Sequence, residues 1–151
     1  MKNRIFRHIT NLPRNTATYR VKEFREFLDK FLDLDEPETK RVMLFRHAES
    51  VGNVREELYG VLDYPLTEKG KTQALTIQPE LSKHREFFDS INSSELQRAI
   101  QTGGIALDLG EDPPADKIKR NAQFNEFNFG ALEGISCKKM RLFEHEFLFQ
   151  M

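Results

Sequence analysis

Arg46 and His47 directly follow a short apolar run over 42–45, and a polar loop continues from them to Asn53. Imidazole is a nucleophile that is largely neutral near physiological pH. Guanidinium is permanently charged and planar, and it can donate hydrogen bonds to two phosphate oxygens at once. In open α/β folds, ligands bind beyond the carboxyl ends of the strands, which is where such a loop begins. The pair therefore predicts a site that handles phosphate.

Three further segments carry polar residues and glycines in a fixed order along the chain. They are the run 63–67 with Gly70, the run 93–102 with Arg98, and the run 125–134 with Glu126, Gly130 and Gly134. Taken singly, each is explained as well by a surface cation, a helix cap or a solvated acid. Taken together and in this order, they resemble the histidine phosphatase superfamily, also called phosphoglycerate mutase-like, over about residues 41 to 134.

The resemblance implies roles for particular residues. His47 would be the nucleophile that becomes a phosphohistidine, and Glu126 the acid that protonates the departing alkoxide. Arg46, Asn53 and Arg98 would bind the phosphoryl oxygens, with no metal ion and no other cofactor. A hydrogen bond from the second ring nitrogen would fix the tautomer of the histidine. The implied fold is a three-layer α/β/α sandwich with a mainly parallel sheet.

The hydrophobic pattern of the chain predicts alternating helices and strands. Helices are expected over 19–34, with Phe24 and Leu28 inward, and over 68–81, capped by Thr67 with Ala74 and Leu75 inward. A third helix should follow Ser93 and Ser94 and stop near Gly110, and a fourth should run through Met140, Phe143 and Phe147. Strands are expected over 42–45, where the strand should be buried, over 87–91 and over 117–120. Such alternation favours a parallel sheet covered by helices.

Two units are expected along the chain. Residues 1–40 form an extension with one amphipathic helix, and residues 41–151 form part of a histidine phosphatase domain.

Family members carry a second catalytic histidine before a glycine on a later strand, and none of His8, His84 and His145 is followed by glycine. We therefore interpret the chain as the amino-terminal part of the domain, incomplete at its C-terminus, with weak activity and an early, shallow urea transition.

Composition narrows the class of protein. The 151 residues include 38% hydrophobic and 31% charged residues and carry a net charge of -1, which suits one folded core and lacks the basic excess of nucleic-acid binders. No apolar run approaches the ~20 residues of a membrane-spanning helix. The expected partner is a phosphorylated small molecule or a phosphoprotein, with no nucleic acid and no membrane. The oligomeric state stays open.

The first 22 residues contain six Lys and Arg residues and no acid. This pattern is typical of either a basic surface arm or an organellar transit peptide. The cytoplasm is therefore the expected compartment, with the mitochondrion as the alternative.

Three functions remain open from the sequence. The first is a phosphomonoester hydrolase that acts through a phosphohistidine. A phosphoglycerate mutase shares this chemistry, but the chain contains no Trp, whereas those mutases carry one in the loop corresponding to 54–64. The third is a catalytically inactive phosphate-binding or interaction module, which the absent second histidine favours.

Overall fold

The computed structural model describes residues 17–33 and 41–139. Within these ranges, helices and strands alternate only from residue 68 to residue 120. The α-helices are α1 (Ala17–Leu32), α2 (Val51–Arg55), α3 (Glu68–Leu81) and α4 (Gln97–Ala106), the strands are β1 (Asn92–Ser93) and β2 (Lys119–Arg120), and 3-10 turns span Ser82–Phe87, Ala122–Phe124 and Gly130–Leu132. No helix within the described ranges is long and apolar enough to cross a membrane.

The core lies where α3 packs against α4. One buried cluster joins Leu81, at the end of α3, to Ala106 and Leu107 of the α4 terminus and to Ile118. A second, smaller cluster joins Leu66, before α3, to Ala74 of α3 and Ile105 of α4. Each fully buried Leu or Ile contributes about 1.5–3 kcal/mol of hydrophobic free energy. The paired helices are therefore the frame from which the functional loops extend.

Helix α1 packs onto this frame through its apolar face. As predicted, Phe24 packs against the first cluster and Leu28 is buried. Arg25 of the same helix donates from Nη2 to the Glu80 carboxylate of α3 at 2.5 Å. The predicted helix is confirmed, and it begins at Ala17 rather than at residue 19.

The two short strands are parallel, with Asn92 paired to Lys119 and Ser93 to Arg120. Helices around a parallel pair of strands confirm the predicted α/β class. The strand expected over 87–91 is wrong, because α3 runs directly into the turn Ser82–Phe87 and strand pairing begins only at Asn92. The strand expected over 117–120 is reduced to its last two residues, and Ile118 before them is buried in the core.

The buried strand expected over 42–45 is also wrong. This segment is irregular, and Val42, Leu44 and Phe45 are 66%, 80% and 48% exposed. Met43 does pack against the core, and the Phe45 ring lies edge-on to Phe24 with 6.0 Å between centroids. No strand among the described residues pairs with the segment, so its outward side chains have nothing to cover them.

The helix ends show which sequence signals were reliable. Thr67 caps α3 as predicted, since its Oγ1 accepts from the Gly70 N–H at 3.0 Å. Helix α4 begins at Gln97, after the predicted serines, and its first N–H donates to Asp63 Oδ1 at 2.7 Å. A distant carboxylate thus accepts from the first N–H of the helix, while Ser94 Oγ accepts from the N–H of Leu96 before it, at 3.3 Å.

Other expectations for these helices fail or fall outside the structure. Helix α4 ends at Ala106, before Gly110, because Asp108 already adopts a left-handed φ of 58°. Leu75, expected to face inward, is 49% exposed, whereas Ala74 is buried. The final predicted helix, through residues 140–147, and the basic segment 1–16 lie outside the described residues.

Candidate functional site

His47 lies in the unpaired segment that leads from residue 41 into the loop before α2. Its Nδ1 is 2.7 Å from the carbonyl oxygen of Ala48. Because a carbonyl can only accept, Nδ1 carries the proton in the neutral ring, and the lone pair remains on Nε2. The local backbone therefore sets the tautomer that a nucleophilic imidazole needs.

The surroundings of His47 favour the neutral form of its ring. Burial is the largest cause that lowers the pKa of His47 below its ordinary value, and the positive charges of Arg98 and Arg46 lower it further. The Ala48 carbonyl and the Glu126 carboxylate act in the opposite direction without reversing the shift. The charges of Arg98, Arg46 and Glu126, the other three ionisable candidate residues, thus all affect the pKa of His47.

Arg98, the second residue of α4, is almost fully buried, with 2% of its surface exposed. Its Nη1 donates to the Leu62 carbonyl at 2.9 Å, and its Nη2 donates to the Gly60 carbonyl at 2.6 Å. No carboxylate within the described ranges forms an ion pair with it. Neutral carbonyls orient the guanidinium but leave its charge uncompensated, which favours an anionic ligand.

The loop over 60–62 that holds this guanidinium is itself fixed from the other side. Glu133 accepts from the Val61 N–H through Oε1 at 3.0 Å and from the Leu62 N–H through Oε2 at 2.9 Å. These backbone donors are the main reason that the pKa of Glu133 lies below its ordinary value. Gly60 is required here, because a Cβ would overlap the carbonyl oxygen of Phe127.

Ser50 and Asn53 form the start of α2. The Asn53 side-chain oxygen accepts from the Ser50 backbone N–H at 2.9 Å, and Ser50 Oγ accepts in return from the Asn53 N–H at 3.4 Å. This reciprocal capping box uses only the oxygen of the carboxamide. The amide group of Asn53 has no partner among residues 17–33 and 41–139, so it can donate to a ligand.

Arg46 and Glu126 have exposed side chains. Glu126 accepts from the Phe127 N–H at 3.0 Å, and Arg46 enters no ion pair in the described part of the chain. The Arg46 charge lowers the pKa of His47, and the Glu126 charge raises it. Gly130 and Gly134, which shape the following loop, have positive φ values of 57° and 80°, as a tightly turning loop requires.

Sequence reasoning missed three residues that support the site. Thr102 accepts from the Ala48 N–H at 3.0 Å, and its position four residues after Arg98 on one helix face was a usable signal. Glu133 precedes Gly134 in a segment that carried the resemblance, but nothing local indicated its amide partners. Tyr59 contacts the Arg98 guanidinium from a loop, and no sequence signal predicts that contact.

The fold and the site together define a class, an α/β protein that presents a neutral histidine among arginine charges. The family model for the histidine phosphatase superfamily (branch 1) matches residues 42–148. The chain belongs to this superfamily, as the sequence motifs predicted.

Curated relatives match the chain over its central part. A 2,3-bisphosphoglycerate-dependent phosphoglycerate mutase from Mycobacterium leprae is 35% identical over 112 residues, which are 73% of this chain and 45% of that protein. The protein of the same description from Dichelobacter nodosus is 35% identical over 100 residues, which are 66% of this chain and 40% of that protein. The chain thus spans less than half the length of these relatives.

Solved structures support the fold. An Escherichia coli protein described as a candidate alpha-ribazole-5'-P phosphatase matches with a TM-score of 0.54 and 28% identity, over 68% of this chain and 48% of that one. A phosphoserine phosphatase from Entamoeba histolytica, solved with 3-phosphoglyceric acid, matches with a TM-score of 0.50 and 28% identity, over 64% of this chain and 44% of that one. The predicted phosphoglycerate mutase-like fold class is confirmed.

Proposed function

We propose that this chain carries the nucleophile of a phosphomonoester hydrolase that works through a phosphohistidine at His47. The observation that carries the proposal is the state of the imidazole: Nδ1 is engaged by the Ala48 carbonyl, and burial and the Arg98 charge lower the ring pKa. Such a ring offers an unprotonated Nε2 at neutral pH. The substrate is a phosphorylated small molecule or a phosphoprotein.

The reaction has two steps. In the first, the Nε2 lone pair of His47 attacks phosphorus, the bond to the ester oxygen breaks, and protonated Glu126 gives its proton to the leaving alkoxide. In the second, Glu126 takes a proton from water, the water oxygen attacks phosphorus, and the N–P bond breaks to return the electron pair to His47. Arg98 and Arg46 balance the negative charge of the equatorial oxygens, and Asn53 adds a neutral donor.

A phosphoglycerate mutase is the second candidate, and the 35% identity to proteins of that description favours it. In a mutase, the phosphohistidine gives its phosphoryl group to a second phosphoglycerate instead of to water. The two structure matches described as phosphatases support hydrolysis. The shared first step makes phosphohistidine formation the primary test.

We would incubate the full chain with radiolabelled phosphomonoesters and look for acid-labile, base-stable label on the protein. His47→Gln should abolish this label, whereas His84→Gln should retain it, because His84 lies in the turn after α3, outside the site. Equal labelling or equal p-nitrophenyl phosphate turnover in both variants would refute the role of His47. A well-folded wild-type chain that acquires no label would indicate the inactive module instead.

The fate of the phosphoryl group separates the two enzymes. A labelled chain that releases inorganic phosphate to water is a hydrolase. A labelled chain that converts 3-phosphoglycerate to 2-phosphoglycerate with 2,3-bisphosphoglycerate present, and releases little phosphate, is a mutase.

A further inference from the structure

Tyr59 connects two elements that carry proposed ligands of the phosphoryl group. Its ring faces the Arg98 guanidinium, whose central carbon is 4.8 Å from the ring centroid. Its hydroxyl is 2.9 Å from Ser50 Oγ, the side chain that caps α2 and bonds with Asn53. One side chain therefore touches both α4 and the start of α2.

Neighbouring residues fix the position of the Tyr59 ring. Tyr64 lies edge-on to it with 5.7 Å between centroids. Gly52 leaves the space that the ring occupies, because a Cβ there would come within 2.6 Å of ring carbons of Tyr59. The His47 ring is 6.5 Å away, centroid to centroid. The aromatic ring thus lies near both His47 and the buried guanidinium of Arg98.

Each contact has a separate physical consequence. The face of an aromatic ring attracts a guanidinium and restricts the directions in which the cation can move. The hydroxyl bond instead restrains Ser50, and through the capping box it restrains the Asn53 carboxamide. Since phosphoryl transfer depends mainly on the placement of such donors, both restraints bear on catalysis.

We infer that Tyr59 is a positioning residue, which aligns Arg98 through its ring and the Ser50–Asn53 cap through its hydroxyl around the phosphoryl site. The inference rests on the proposed function, since it concerns the same site. Because the ring contacts Arg98 and the hydroxyl contacts Ser50, two variants of Tyr59 can test the two contacts separately. Tyr59→Phe removes only the hydroxyl, and Tyr59→Leu removes the ring as well.

The matched control is Tyr64→Phe. Tyr64 is the neighbouring tyrosine, and its hydroxyl bonds to Glu57 at 2.6 Å, outside the proposed ligand set. In all variants we would measure the affinity for inorganic phosphate and the His47 titration by NMR, followed by KM and kcat for p-nitrophenyl phosphate. The first two measurements need no turnover, so they test Tyr59 even if the proposed reaction is absent.

Tyr59→Leu should weaken phosphate binding roughly three- to thirtyfold, the range of a lost cation–π contact. It should also raise the pKa of His47, because the lowering effects of Arg98 and of burial both diminish. Tyr59→Phe should raise KM severalfold, shift the Asn53 side-chain amide resonance and leave the His47 titration unchanged. Tyr64→Phe should match wild type in each measurement.

The inference is overturned if folded Tyr59→Leu keeps both the wild-type phosphate affinity and the wild-type His47 titration. If that variant does not fold, Tyr59→Phe decides, and an unchanged Asn53 resonance with unchanged phosphate affinity is the contrary result. A wild-type chain that binds phosphate but forms no phosphohistidine would instead count against the proposed reaction alone.

Discussion

Thr102 joins the loop after His47 to helix α4 through a single hydroxyl. Its Oγ1 accepts from the Ala48 N–H at 3.0 Å and donates to the Arg98 carbonyl at 2.6 Å. In the described part of the chain, the segment that leads to His47 lies in no sheet. This side chain therefore fixes the His47 segment relative to the helix that carries the buried Arg98 guanidinium, where no strand pairing among the described residues does so.

Replacement of Thr102 by valine should impair both stability and turnover. The isosteric change leaves the Ala48 N–H without its acceptor, at a cost of about 1–3 kcal/mol in the free energy of unfolding. A small displacement of the His47 loop should lower kcat by about ten- to a hundredfold. Urea unfolding and p-nitrophenyl phosphate turnover measure the two effects.

Thr102→Ser is the control for that experiment, since it retains the hydroxyl and should preserve most of the activity. If valine and serine at this position behave alike, the hydroxyl does not position the loop.

The pH dependence of the first step should reflect the lowered pKa of His47. A histidine with a lowered pKa stays neutral to lower pH, so the acid limb of kcat/KM should lie below the ordinary value of about 6.5. Arg46→Gln removes one lowering charge and should move that limb to higher pH. It should also reduce kcat/KM by about a hundredfold, because a proposed donor to the phosphoryl oxygens is lost.

An acid limb that stays in place in Arg46→Gln would show that the Arg46 charge does not reach the imidazole. The control is Lys119→Gln, which removes a surface cation in β2. It should leave both the acid limb and the value of kcat/KM unchanged.

Gly60→Ala should destabilise the loop that holds Arg98. The added Cβ would overlap the Phe127 carbonyl oxygen, and backbone atoms cannot yield as the end of a side chain can. We expect a loss of about 1–3 kcal/mol in the free energy of unfolding and weaker phosphate binding. Gly110→Ala is the comparison, because Gly110 has a positive φ of 82° but nothing near its Cβ position. It should lower stability without affecting phosphate affinity.

Glu133 should make the same loop sensitive to acid. Backbone N–H donors lower the pKa of its carboxylate in the folded state, so it contributes stability above the unfolded-state value of about 4.3. That contribution is lost as the pH falls through the folded-state pKa. Glu133→Gln should lower the urea midpoint at neutral pH and flatten its decline in acid. A variant with the wild-type acid profile would contradict this account.

The sequence predicted the parts of the protein that depend on local chemistry. Thr67 as the cap of α3 and the apolar face of α1 at Phe24 and Leu28 follow from residue type and spacing alone. The ordered motifs also identified the superfamily. The roles assigned to His47, Arg46, Asn53, Arg98 and Glu126 stay predictions that the experiments above address.

The strand expected over 42–45 is wrong because a strand exists only where another strand pairs with it. The run over 42–45 has the composition of a buried strand, yet Val42 and Leu44 are exposed where no described strand covers them. The N-terminus of α4 was misplaced for a similar reason. Its first N–H is capped by Asp63, which lies far away in sequence and leaves no signal beside the helix.

The sequence by itself thus determined the superfamily, the candidate nucleophile and the helices whose caps and apolar faces are local. Only the tertiary structure decided how Arg98 is oriented by the Gly60 and Leu62 carbonyls, how Glu133 fixes their loop, and how Tyr59 lies against the guanidinium. The physical reason is that these contacts join backbone and side-chain groups distant along the chain, and only packing brings such groups together.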